Sequence, residues 1–291
     1  MLYFITMGDN KFTIDIFLWH VQDRLGFPAA ILSYEEAALH EDFKDAVVIF
    51  CDIERFTEGS LVQALDVYNH IKAHGARCLL NHPQRVLRRF ELLTELHQLG
   101  INDFNVYRQP QEGIRYPVFL RNELDHQGPV SGLLASPTEL ADALQSARGK
   151  TSGPFSPLIT EYCDVRIRDL GYHKYGAFCL MGRVVPRHLF FSDAWMVKGT
   201  KDQRPEHAQK ENDYLDRNDF EKEIAGVFHT AHIDYGRVDF AQAPNGLAIF
   251  EINTNPTIMD NGDLNSNRTH VTEHFVSAFV QAMQDLYHGR L

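Results

Sequence analysis

The sequence lacks most of the features that mark a specialised chain. Cysteine occurs only as Cys51, Cys78, Cys163 and Cys179, far apart and never as CxxC. That argues against a disulfide framework or a thiolate zinc site, and for small reduced side chains in apolar runs. No stretch of about 18 apolar residues is present, so nothing reads as a membrane span. The opening MLYFITMGD is a short strand and turn without the basic start and longer apolar run of a signal peptide, which leaves a cytoplasmic protein as the expectation. GxGxxG and GxxxxGK[ST] are absent, so the first sheet carries no dinucleotide fingerprint or P-loop. No GxSxG elbow or Cys–His signature offers a covalent nucleophile. Basic residues are in deficit: 28 Lys and Arg against 39 Asp and Glu give a net charge of −11. Such a surface is a poor partner for nucleic acid or anionic membrane, and leaves only a local basic pocket for a small anion. The 15 histidines are scattered and fall into no metal-ligand pattern.

What is present is an ordinary globular composition, 44% hydrophobic and 23% charged over 291 residues. That length suits one large domain or two closely joined ones. Strands are expected at 2–6, 29–32, 46–51 and 77–80, and an amphipathic stretch between the first two runs to Leu25. Helices are expected at 61–74 and 83–99, stopped by Gly75 and Gly100. AVVIFC at 46–51 is continuously apolar, as in a strand covered on both faces. The alternation predicts a parallel sheet with right-handed crossovers. From about Arg115 the pattern changes. A strand at 116–122 leads into the polar turn ELDHQGPVSG, and Ser136-Pro137-Thr138-Glu139 opens a helix to about Arg148 with the residues of a capping box. A loop at 149–157, a strand at 158–163 and a hairpin of 174–181 with 183–191 follow. Residues 199–218 read as a polar, mobile loop and 219–232 as a helix; a last hairpin and a helix at 270–287 end the chain. The fold class is α/β, becoming α+β in the C-terminal part.

The informative stretch is YGRVDFAQAPNGLAIFEINTNP, 235–256. Ala243-Pro244-Asn245-Gly246 has the residues of a three-residue hairpin loop with a glycine bulge. Ala243 then pairs with Leu247, and counting back sets Phe240 opposite Phe250, Asp239 opposite Glu251, Val238 opposite Ile252 and Arg237 opposite Asn253. Val238, Phe240, Phe250 and Ile252 make an apolar face, and Arg237, Asp239, Glu251 and Asn253 a polar one. Two carboxylates directly opposite each other repel unless a positive charge lies between them or one is protonated. Arg237 supplies part of that charge. A hard divalent cation supplies more, and two carboxylates with an amide oxygen suit Mg2+, which commonly shares phosphate oxygens. The other reading of these residues is a surface hairpin whose acids meet water and Arg237.

R-x-D-(x)11-E-x-N-x-N-P near the end of a chain of this size resembles the metal-binding hairpin of the ATP-grasp superfamily, which includes D-alanine–D-alanine ligase, glutathione synthetase and the glutamate ligases that modify ribosomal protein tails. The resemblance covers roughly 80–285. It implies an N-terminal parallel, Rossmann-like pre-grasp sheet followed by an ATP-grasp fold. The expected divisions are a pre-grasp domain at 1–80, a linker helix and connection at 81–114, a small grasp subdomain at 115–164, and a C-terminal subdomain with the metal site at 165–291. Asp239, Glu251 and Asn253 would hold Mg2+, or Mn2+, against the ATP phosphates. Arg121 stands where the family usually has lysine, before a phosphate loop at 125–128 that ends in Gly128 and is glycine-poor for the family. Glu161 and Tyr162 would sit at the adenine edge, Asp164 near the ribose, and Lys198 at the phosphates.

The linker helix, with Arg85, Arg88 and Arg89, can also send a basic group there, although Arg88 and Arg89 read first as a solvated face. Arg237 would hold the substrate carboxylate or neutralise Asp239. Lys174 and Arg187 would line the acceptor pocket or lie on the surface, and Arg268 is a further carboxylate-binding candidate. Trp195, Phe190 and Phe191 read as core. The activity implied is ADP-forming ligation of a carboxylate to an amine through an acyl phosphate, on a small molecule or peptide. A nucleotide-binding protein of the same shape that has lost turnover, and a kinase, are the other readings. Family members are often dimeric, so a homodimer is compatible.

Overall fold

The computed structural model describes residues 1–147, 155–199, 204–259 and 269–291. The expected loop at 149–157 and Arg268 fall wholly or largely outside these residues.

The first eighty residues build the parallel sheet that their alternation predicts. Strands β1 (Leu2–Thr6), β2 (Ala29–Ser33), β3 (Val47–Phe50) and β4 (Cys78–Leu80) lie in the order β2-β1-β3-β4. Period-2 alternation sorts β1 cleanly. Leu2 and Phe4 meet α1 (Phe12–Leu25) and the last helix α8 (Thr269–Tyr287), while Tyr3 and Ile5 meet α2 (Tyr34–Leu39) and α3 (Glu58–Ala73). The sheet is therefore covered on both faces.

The expected helix at 83–99 begins later, as α4 (Arg89–Gln98). After Pro83 the chain makes a turn held by Arg85 and Val86 N–H on the His82 carbonyl. Leu87 N–H then bonds Ala231 O across the chain, so these residues cannot enter a helix. The later start re-aims Arg89.

A three-stranded antiparallel sheet follows, ordered β5 (Val106–Tyr107), β7 (Pro157–Glu161), β6 (Val118–Asn122). Val118 and Leu120 pack with Ile159 and Leu140 of α5 (Pro137–Ala147), so Phe119 and Arg121 point the other way. Ser136 Oγ accepts the Glu139 N–H at 3.3 Å, the serine half of the capping box that S-P-T-E predicts, while the Glu139 carboxylate takes the N–H of Ala135 at 2.9 Å, one residue before the cap.

The largest sheet runs β10 (Arg183–Ser192), β9 (Gly171–Leu180), β11 (Tyr235–Ala243), β12 (Gly246–Asn253), with β8 (Arg166–Ile167) on β9. Met181 and Gly182 both have positive φ, 51° and 87°, as the two-residue turn of the β9–β10 hairpin requires. Helices α6 (Pro205–Arg217) and α7 (Glu221–Ala231) cover one face. The polar stretch 199–218, expected as a loop, is largely helix α6. Its buried residues His207, Glu211, Tyr214 and Leu215 have helical spacing, but two of the four are polar, which hid the period.

Of the five expected hairpin pairs, three form: Arg237 with Asn253, Val238 with Ile252, and Asp239 with Glu251. The tip differs. Ala243 pairs with Gly246, and a bulge after Asp239 sets Phe240 opposite Ile249. Phe250 is thus the extra residue, and it leaves the apolar side to line a cleft beside Glu251. No helix among the described residues is long and apolar enough to cross a membrane. The four cysteines are unpaired.

Candidate active site

The cleft lies between the three-stranded and the largest sheet. Phe119, Arg121, Thr160 and Glu161 come from the first, Lys174, Asp239, Phe250 and Glu251 from the second. The facing surface of the large sheet is apolar at both ends: Phe178 and Tyr235 join the core under α8, and Ala241 and Ala248 the core beneath α4. Between them stand Lys174, Arg237, Asp239 and Glu251. A charged gap in an otherwise apolar sheet face is costly to bury and is a functional candidate on physical grounds.

Asp239 is 3% exposed. Its Oδ2 accepts from Lys174 Nζ at 2.8 Å and its Oδ1 from Arg237 Nε at 3.0 Å. Burial raises its pKa, but Arg237 and Lys174 outweigh burial and the Glu251 charge, and it ends below the ordinary value. Glu251 Oε2 accepts from two guanidinium groups, Arg89 Nη2 and Arg121 Nη2, each at 2.7 Å. Burial again opposes ionisation, and Arg121 with Arg89 overcomes it, holding this carboxyl well below the usual range. Two facing carboxylates are therefore enclosed by four cations.

Arg89 is the residue that sequence reasoning undervalued. Its side chain is 2% exposed. Nη1 donates to the carbonyls of Asn122, Glu123 and Asp125 at 3.2, 2.6 and 2.8 Å, and Nη2 also meets His126 Nδ1 at 3.2 Å. Burial and the neighbouring Arg121 push its pKa down to about 10, which leaves it charged at neutral pH. His126 Nε2 lies 3.0 Å from Glu54 Oε1; with Nδ1 accepting from Arg89, the ring proton belongs on Nε2. Glu54 in turn accepts the Thr254 N–H at 3.1 Å, just past β12. The basic character of 85–89 was the only sequence signal for Arg89. Arg88 turns elsewhere, onto Phe56 O at 2.8 Å.

Lys198 Nζ donates to Gln127 O at 2.9 Å and lies across Gly128. There φ is +95°, a backbone conformation that favours glycine, and the end of the Lys198 side chain lies 3.0 Å from where a Cβ would stand. The apolar end of the cleft is formed by Phe119, Tyr162, Trp195 and Phe250, with Trp195 5.0 Å from Phe119 and 6.2 Å from Tyr162 between ring centres. Thr160 Oγ1 is buried there with no partner among the described residues, a hydrogen-bonding group left for a ligand. The Glu161 carboxylate is committed to Tyr107 Oη and to Arg115. Asp164 is not among the cleft residues; its Oδ1 accepts from Arg166 N–H. Arg187 also lies apart, its guanidinium 4.8 Å over the Phe275 ring of α8. Asn253 Oδ1 accepts the Asn255 N–H at 2.8 Å.

Hard carboxylate oxygens opposite each other suit a divalent cation, and Glu251 Oε1 accepts from no protein group among the described residues, so an ion fits there beside Asp239. The other carboxylate oxygens already hold protein donors. Among the described residues no three His, Cys, Asp or Glu side chains come together as a metal cluster.

No family model matches the chain, and no curated protein matches it in sequence. Solved structures do match over nearly its whole length. It is similar to a D-alanine–D-alanine ligase from Bacillus anthracis complexed with ATP (12% identity, 98% of each chain, TM-score 0.52). A D-cycloserine synthetase matches at 13% identity over 97% of this chain and 99% of its own, TM-score 0.55. A RimK domain ATP-grasp protein from Sphaerobacter thermophilus matches at 15% identity over 97% and 100%, TM-score 0.51. The shared property is the ATP-grasp fold.

Proposed function

We propose that this chain, which has the ATP-grasp fold, is an ATP- and Mg2+-dependent ligase that joins a carboxylate to an amine through an acyl phosphate, releasing ADP. The observation that carries the reading is the Asp239–Glu251 pair, ringed by Arg89, Arg121, Lys174 and Arg237 at one end of an aromatic cleft. In this reading the parallel sheet belongs to the division 1–80, the largest sheet to 165–291, and the three-stranded sheet to 115–164 with its edge strand β5 contributed by the connection 81–114. Phe119, Tyr162, Trp195 and Phe250 take the base, with Thr160 Oγ1 as a polar contact, and Lys198 covers the phosphates from the rim. Asp239, Glu251 and Asn253 would hold Mg2+, which when bound offsets charge on the phosphate oxygens. Arg121 and Lys174 do the same from fixed positions, and charges already in place need no reorganisation as the phosphoryl group moves. Arg237 is held by Asp239 through Nε, and its Nη groups, without a hydrogen bond among the described residues, orient a substrate carboxylate. The closed sheets exclude water from a labile acyl phosphate. The nucleophile comes from the substrate, consistent with the lack of a nucleophile motif.

Calorimetric titration with a non-hydrolysable ATP analogue and Mg2+ tests the site. Micromolar affinity, about −8 kcal/mol, lost at least tenfold in Lys198→Met, supports it; a flat titration refutes it. ADP release over carboxylate and amine libraries then tests ligation. A second reading, a nucleotide-binding protein without turnover, is favoured by Arg121 in the place of lysine and by the charge compensation of both carboxylates. Tight binding with no ADP release across the libraries would select it.

A further inference from the structure

Resting on the nucleotide-binding reading above, we infer that Arg89 is a built-in cation on Glu251, and that with Arg121 it lets the site bind nucleotide with little dependence on a divalent metal. The argument is one of charge and rigidity. Four cations face the two carboxylates, and with Glu54 counted behind His126 the cluster still keeps a net positive charge before any metal binds. Two of the four converge on a single oxygen, Glu251 Oε2. A metal that took this oxygen would have to displace both guanidinium groups.

Arg89 is not free to leave. Three main-chain carbonyls at the entry to the 125–128 loop depend on its Nη1, and His126 and Glu251 on its Nη2. Moving it would strand buried acceptors and a buried charge, the costliest kind of loss in a protein interior. The four Nη N–H groups of this one guanidinium reach all five acceptors, more than the three N–H of an ammonium can. Arg121 Nε is buried without a partner among the described residues and its side chain lines the same cleft, so the second guanidinium retains a donor for a ligand oxygen. Arg89 thus fixes the loop that leads to Gly128 and supplies positive charge at the same point. Of the four carboxylate oxygens of Asp239 and Glu251, only Glu251 Oε1 remains open among the described residues, which makes a metal ion an addition to the charge already present rather than its main source.

The test is nucleotide binding, read by calorimetry or thermal shift on the whole chain, with Mg2+ and with EDTA. The expected result for the wild type is a loss of affinity of less than about tenfold when Mg2+ is removed. Arg89→Met is expected to make binding metal-dependent, with a loss in EDTA of more than about a hundredfold, and Arg89→Lys to recover part of the difference. Should Arg89→Met fail to fold, Arg121→Met removes the second charge from Glu251 without touching the three carbonyls, and the same steepening is expected. Nucleotide that binds in Mg2+ but is lost in EDTA overturns the inference and leaves the proposed function standing. Nucleotide that binds in neither overturns both.

Discussion

His173 lies in the wall of the cleft, with Nδ1–H donating to Val165 O at 2.7 Å and Nε2 accepting the Gln242 N–H at 3.0 Å. Burial pushes its pKa down to about 4. A neutral histidine favoured in the fold contributes stability that is present above its unfolded pKa of about 6.5 and lost as pH falls towards 4, at most about 3 kcal/mol. Asp52 works in the opposite sense. It accepts from Met7 N–H, Asn10 and Asn255, yet burial and the charge of Glu54 push its pKa up to about 6. Its contribution is present below the unfolded value and lost as pH rises through 6. Relative to wild type, urea midpoints of His173→Gln should tilt down towards high pH across pH 4 to 6.5, and those of Asp52→Asn should tilt up. Parallel curves would refute both assignments. Trp195 offers a direct report on the cleft, because the other tryptophan, Trp19, is 69% exposed on α1. Nucleotide should change the intrinsic fluorescence, and Trp195→Phe should abolish the change.

Helix α6 shows how a polar element comes to be buried. Glu211 is wholly buried because its Oε1 accepts the Leu189 N–H of β10 at 2.9 Å, and His207 stacks on Phe191 at 4.2 Å between ring centres. Tyr214 donates its hydroxyl to Gly176 O at 3.1 Å. Glu211 and Tyr214 complete the hydrogen bonding of the sheet and His207 is held by its stack, so apolar spacing alone does not reveal them. Glu211→Ala should cost about 1–3 kcal/mol in urea unfolding, the penalty for a buried donor left unpaired, and Glu211→Gln clearly less. Equal losses in the two variants would show that packing, not the Leu189 N–H, accounts for the burial. The β11–β12 hairpin teaches a related lesson. Its pairing at Asp239 and Glu251 follows from period-2 alternation alone, whereas the bulge at Phe250 was hidden by a turn sequence compatible with two loop lengths.

At the scale of the molecule, one asparagine joins the parallel sheet to the large antiparallel one. Asn81 has φ of 63°, a conformation asparagine tolerates better than most residues. Its Nδ2 donates to Phe50 O and Tyr235 O, and its Oδ1 accepts from Asp234 N–H and Tyr235 N–H, so every side-chain valence is used. Asn81→Ala should cost several kcal/mol, of order 3–5, because it strands buried main-chain groups in both sheets. A loss under about 1 kcal/mol by calorimetry would show that the junction carries little. Helix α8 reinforces the same joint, packing Phe279 against Phe17 of α1 and Phe178 of β9. The sequence by itself determined the strand–helix alternation of the first eighty residues and the facing carboxylates of the last hairpin. Both follow from local periodicity, which the chain carries in its own order. Only the tertiary structure decided which cations meet those carboxylates. Arg89 and Arg121 reach Glu251 from 162 and 130 residues away. Contacts of that separation depend on how three sheets pack, and on a helix that starts at Arg89 rather than at Pro83, neither of which leaves a local pattern.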